Sequence, residues 1–184
     1  MKKTLIIHPQ DQSTDFLKGI YKRMKLATVV TGEKSKSTLK KLIKEHDRIM
    51  MMGHGWSNGL FNTRSANFKT GGLVIDKEYV ELLKEKECIF IWCQAHDFVK
   101  ENELKGFNTG MFISEVGEAT WFDIYTTQKI VDESNYEFVK IFKQHRTENP
   151  KMILKHVRTK YKKLGETNPI AEYNSKLLYN GKKD

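Results

Sequence analysis

Two side chains with complementary chemistry stand at the ends of two apolar runs. His54 lies between Gly53 and Gly55, directly after Ile49-Met50-Met51-Met52, and Cys93 closes Ile89-Phe90-Ile91-Trp92. A thiol attacks a carbonyl as its thiolate, and an imidazole nearby takes the proton or stabilises the charge. The flanking glycines let the backbone turn tightly and approach a ligand. Backbone N–H groups of Gly55 and Cys93 are candidates to hold a developing oxyanion. The chemistry is acyl transfer: amide or ester hydrolysis through a thioester. His8, Asp97 and Glu115 are tentative substrate contacts, and the two carboxylates would favour a basic substrate residue. His96 is an alternative base. Each has a plainer explanation: a loop imidazole for His54, a buried strand-end thiol for Cys93, a surface imidazole for His8, and solvation or helix capping for Asp97 and Glu115.

The elements that must position these residues alternate between strand and helix. Thr4–Ile7, Ala27–Val30, Asp47–Met52, Cys88–Cys93 and Met111–Ile113 are the expected strands. The continuously apolar Cys88–Cys93 suits a parallel strand buried on both faces. Ser13 or Thr14 is expected to cap a helix reaching about Met24, Ser37 a helix ending at Glu45, and Asp76 a helix carrying Val80, Leu82 and Leu83. Short extended pieces at Leu60-Phe61 and Leu73–Ile75 flank Gly71-Gly72. Helices are expected over Thr127–Gln144 and Pro150–Leu164, with Asn168–Asp184 returning as a helix or an extended arm. This alternation predicts a three-layer α/β/α sandwich with a mainly parallel sheet. It is expected as a single domain over residues 1–184, with a core over about 4–125 and a helical C-terminal extension over about 126–184. In open parallel sheets, sites form beyond the carboxyl ends of the strands. His8, His54 and Glu115 follow expected strands on that edge, and Cys93 ends one.

The two blocks Ile49-Met50-Met51-Met52-Gly53-His54-Gly55 and Ile89-Phe90-Ile91-Trp92-Cys93 resemble the caspase-like cysteine peptidases, a superfamily that includes caspases, legumains, clostripain, gingipains, separases and CHAT domains. The 39-residue separation of His54 and Cys93 is similar to theirs, and Cys93-Gln94-Ala95-His96-Asp97-Phe98 resembles the Cys-x-x-x-Asp-Phe run of gingipains. The resemblance covers roughly residues 4–115. It implies a caspase-like/flavodoxin-like sheet, His54 as base, Cys93 as nucleophile, and the N–H groups of Gly55 and Cys93 as the oxyanion hole. A peptide or protein substrate and no cofactor follow from the same resemblance.

Composition narrows the alternatives. The 184 residues allow one domain with a real core. No apolar run approaches the roughly 20 residues of a membrane helix, and the short run before His8-Pro9 does not make a secretory leader; a cytoplasmic protein is expected. Cys88 and Cys93, at opposite ends of one strand, are too far apart for a disulfide and too few for a structural zinc site, so free thiols and no metal are expected. Cys88 is assigned a structural role. The net charge of +9 arises from scattered lysines, densest over Lys151–Lys163, where apolar residues alternate at helical spacing. A solvated helix face explains that stretch, and a nucleic-acid contact is a further alternative. Trp56, Trp92 and Trp121 are expected to pack. The P-loop, GxGxxG, HExxH and GxSxG signatures are missing, and Val99 stands where a phosphatase loop needs Arg. A catalytically silent α/β domain that binds a protein partner, or a basic nucleic-acid-associated protein, stands beside the hydrolase.

Overall fold

The structure is a computed structural model that describes residues 2–62 and 72–181. Strand β1 (Thr4–Ile7) leads into a 3-10 helix (Gln12–Leu17), α1 (Lys18–Tyr21), β2 (Ala27–Val30), α2 (Lys36–Glu45) and β3 (Arg48–Met52). Short strands β4 (Gly55–Trp56), β5 (Gly59–Phe61) and β6 (Leu73–Ile75) precede a second 3-10 helix (Lys77–Tyr79) and α3 (Val80–Lys84). Then come β7 (Glu87–Ile91), α4 (Ala95–Glu101), β8 (Phe107–Thr109) and α5 (Val116–Thr120). Helices α6 (Gln128–His145), α7 (Pro150–Leu164) and α8 (Pro169–Lys176) lead to β9 (Leu178–Asn180).

The main sheet runs β2-β1-β3-β7-β8-β9; its first five strands are parallel, and β9 is antiparallel to β8. Strands β4, β5 and β6 form a small antiparallel sheet. The pleat divides the apolar strands between two cores. Leu5, Ile7, Ile49, Met51 and Phe90 meet Leu39, Ile43, Leu83 and Phe98 on one face. Ile6, Met50, Met52, Ile89 and Ile91 meet Phe138, Phe142, Ile153, Val157 and Tyr161 on the other. Each large side chain so enclosed contributes about 1.5–3 kcal/mol. Helices α6 and α7 thus supply most of one outer layer, beside Leu17 and Ile20, and β9 a strand of the sheet, so residues after 126 are integral to the core and not an extension of it.

Several boundaries differ from the sequence expectation. The first helix is a 3-10 turn capped by Asp11, which accepts the Ser13 N–H, followed by a single α-turn. Ser35, not Ser37, caps α2. The fifth strand is Phe107–Thr109 and not Met111–Ile113. Gly106, at φ +134°, passes so close to the Cys88 carbonyl that a Cβ there would sit 2.1 Å from its oxygen, and β8 starts at this contact. Met111–Ile113 instead crosses the sheet edge, where the Ile113 N–H donates to Asn174 Oδ1 at 2.8 Å. Trp92 packs in the core, but Trp56 and Trp121 are 50% and 73% exposed. Gly71 and Lys182–Asp184 lie outside the described residues. Among the described residues, no helix is long and apolar enough to cross a membrane.

Candidate functional site

Register brings the two candidate residues to one edge. Strands β3 and β7 pair in parallel up to Met52 and Ile91, and the Gly53 N–H donates to the Ile91 carbonyl at 3.0 Å. His54 and Cys93 follow two residues later on these neighbouring strands, which run roughly 4.8 Å apart. Met52 and Ile91 face the α6–α7 core. Beyond them, past Gly53 at φ +142°, the side chains are located by their contacts. His54 Nε2 lies 2.7 Å from Ser13 Oγ, in the 3-10 helix whose Leu17 belongs to that core, and Cys93 Sγ lies 3.6 Å from the carbonyl of Phe112, another member of it. Trp92, between them in parity, turns to the opposite face and donates its indole N–H to the Trp56 carbonyl at 3.1 Å.

His54 is held in a defined protonation geometry. Ser13 donates its hydroxyl proton to Asp11 Oδ1 at 2.6 Å. A carboxylate only accepts, and a hydroxyl has one proton. Ser13 Oγ must therefore accept from His54 Nε2–H, and Nδ1 is left as the nitrogen able to take a proton. Asp11 Oδ1 itself lies 3.7 Å from His54 Nε2. Asp11 and Ser13 follow β1 on the edge that carries His54, an Asp-x-Ser spacing that begins two residues after Pro9. The sequence reading took Ser13 for a helix cap and gave Asp11 no role; that spacing at a strand's carboxyl end was the available signal.

Cys93 sits in a strand-to-helix turn. The next residue, Gln94, has φ +62°, a left-handed conformation rarely held by a residue with a side chain. The Ala95 N–H closes the turn onto the Trp92 carbonyl at 3.2 Å, and the Gln94 N–H donates to the Gly110 carbonyl at 3.1 Å. Burial pushes the Cys93 thiol up to about 12, with the charges of Glu118 and Glu115 adding to the effect. The resting sulfur is a neutral thiol at physiological pH. Glu118, another residue the sequence reading passed over, caps the start of α5 by accepting from Ser114 N at 2.7 Å and Glu115 N at 3.1 Å.

The remaining candidates separate. Gly55 is buried, and a Cβ there would meet the Trp92 ring at 2.3 Å, so the indole packs directly on this backbone. His8 is neither a crevice residue nor a surface imidazole: it is 1% exposed, with Nδ1 2.9 Å from Tyr21 Oη and Nε2 3.2 Å from Thr14 Oγ1. The lack of solvent lowers its pKa to about 4, with Lys18 acting in the same direction. His96 is engaged away from the thiol, 3.1 Å from Asn108 Oδ1 and stacked on Tyr179 at 3.9 Å. Asp97 occupies the first turn of α4, and Glu115 the cap position of α5. Cys88 is buried and donates to the Leu83 carbonyl at 3.4 Å, the structural role expected of it. No known family model, curated protein or solved structure matches the chain.

Proposed function

We propose that the chain is a small caspase-like cysteine hydrolase, acting on peptide or protein amides, with Cys93 as nucleophile and His54 as base. The observation that carries this reading is the matched ending of β3 and β7 at Met52 and Ile91, each two residues before one member of an imidazole–thiol pair. The Ser13 tie supports it by leaving His54 Nδ1 open to a proton. Cys93 S–H passes its proton to Nδ1 as sulfur bonds to the scissile carbonyl carbon. The carbonyl oxygen becomes an oxyanion, for which the resemblance implies the N–H groups of Gly55 and Cys93. Collapse expels the amine, which takes the proton from His54, and leaves a thioester. A water then gives a proton to His54, attacks the thioester, and releases the acid and the thiol. Because the resting thiol is neutral, proton transfer accompanies attack and no standing ion pair precedes it.

One observation favours the second reading, a catalytically silent domain that binds a protein partner: Cys93 Sγ is engaged by the Phe112 carbonyl at 3.6 Å, in a setting whose burial opposes thiolate formation. A library of fluorogenic peptide amides, with basic and non-basic residues before the cleaved bond, separates the two. The hydrolase is expected to cleave members of it, with Cys93→Ala and His54→Ala each lowering turnover roughly 10³-fold or more at unchanged circular dichroism. A peptidyl acyloxymethyl ketone should alkylate Cys93 and not Cys88. Turnover that survives Cys93→Ala, or no turnover together with no selective alkylation of Cys93, removes the hydrolase reading.

A further inference from the structure

A cluster of side chains able to ligate a metal lies at the junction of α6 and α7. His145 Nδ1 is 2.9 Å from Glu148 Oε1, and His156 Nε2 is 3.5 Å from Glu148 Oε2. One ligand atom from each of the three lies within 4.8 Å of the other two. Zinc–ligand bonds of about 2.0–2.2 Å place adjacent ligand atoms of a tetrahedron roughly 3.3 Å apart. The two imidazole nitrogens approach different oxygens of the Glu148 carboxylate, at 2.9 and 3.5 Å, so small side-chain rotations bring one oxygen to that spacing from both.

Two observations single this cluster out. Glu148 Oε2 is shut off from solvent and makes no hydrogen bond; its neighbour is the His156 nitrogen at ion-pair distance. The backbone carrying Glu148 is also fixed from beneath. The buried guanidinium of Arg48, paired with Glu87, donates to the carbonyls of Arg146, Thr147 and Glu148. Asn149 caps α7 through Met152 N at 3.0 Å. A ligand residue on so rigid a link is positioned before any ion arrives.

We propose that His145, Glu148 and His156 bind a zinc ion, with water in the fourth position. Two imidazoles and one carboxylate are the donor set of three-ligand zinc sites. The imidazoles now stack at 4.0 Å and 6°, so their lone pairs lie in parallel planes. Binding requires the His156 ring, a third exposed, to turn about its side-chain bonds. It also moves the His145 proton from Nδ1 to Nε2. Lys160 Nζ, 3.3 Å from that Nε2, then keeps its other partner, Gln144 Oε1, at 3.0 Å.

The test is calorimetric titration of the full chain with zinc chloride in a Cys93→Ala background, which removes the half-buried thiol as a competing ligand. One equivalent should bind, and His145→Ala, Glu148→Gln and His156→Ala should each weaken it at least tenfold. Cobalt(II) should give a visible ligand-field band that His156→Ala abolishes. His156→Gln, with circular dichroism as a check, covers the case in which the alanine variant misfolds. Absence of a one-equivalent site, or zinc affinity unchanged in the His156 variants, overturns the proposal. Neither result bears on Cys93, whose hydrolase role is read from peptide turnover.

Discussion

Ser13 has one hydroxyl proton, and Asp11 takes it. The consequence falls on His54, whose Nε2 must then donate and whose Nδ1 must then accept. Nitrogen-15 NMR of the His54 ring should show Nε2–H as the dominant neutral tautomer. Ser13→Ala should return a mixture and slow peptide turnover about 10- to 100-fold, the range for loss of a group that orients a ligand or base, while Ser13→Thr keeps most of it. A wild-type tautomer in Ser13→Ala would mean that the Asp11–Ser13 pair does not set it. His54 and Cys93 were legible because each ends an apolar run. Asp11 and Ser13 were not, because their importance lies in a contact 41 residues away in sequence, and locally they look like an ordinary cap. His8 misled for the opposite reason: a histidine beside proline reads as surface, yet Thr14 of the 3-10 helix and Tyr21 of α1 satisfy both nitrogens inside the protein.

At the scale of elements, the long apolar strands β3 and β7 were readable from composition alone, and β8 was not. Phe107–Thr109 is three residues with two polar side chains, a weaker pattern than the Met111–Ile113 run beside it. Tertiary contact decides the matter, through the approach of Gly106 to Cys88. Gly106→Ala should therefore lower stability by about 2–4 kcal/mol, measured by urea unfolding, through strain at positive φ and the clash with the Cys88 carbonyl. Gly117→Ala, inside α5 with open space around it, should be neutral or gain up to about 1 kcal/mol. Equal effects at the two sites would remove close packing as the cause. The antiparallel β9 was legible only as an extended arm, since nothing local in Leu178–Asn180 reveals which strand it joins.

The whole molecule should respond to pH on both sides of neutrality. Folded His8 has a pKa lowered to about 4, so below its ordinary value of 6.5 the unfolded chain binds a proton that the folded one does not. Its contribution is complete above pH 6.5 and is lost as pH falls toward 4; linkage sets the loss at about 2 kcal/mol by pH 5. The Cys93 and Cys88 thiols are raised by burial, so above pH 9 the unfolded chain releases protons that the folded one keeps, and stability declines again. Chemical unfolding from pH 4 to 10 should trace a dome, with His8→Gln flattening its acid limb. An acid limb unchanged in His8→Gln would assign that loss to other groups. Part of the charge of +9 sits on an outer face: α7 buries Ile153, Val157 and Tyr161 and turns its lysines outward, the solvated helix face expected from the sequence.

The turn after Cys93 is steadied from a distant part of the chain. Gln94 is held by Gly110, whose own N–H donates to the Leu177 carbonyl at 2.8 Å, next to the strand Leu178–Asn180. A ribosome makes Cys93 some eighty residues before that support. During synthesis the sulfur is thus present long before its surroundings exist, and the turn that carries it stays without this support until β9 has emerged and docked.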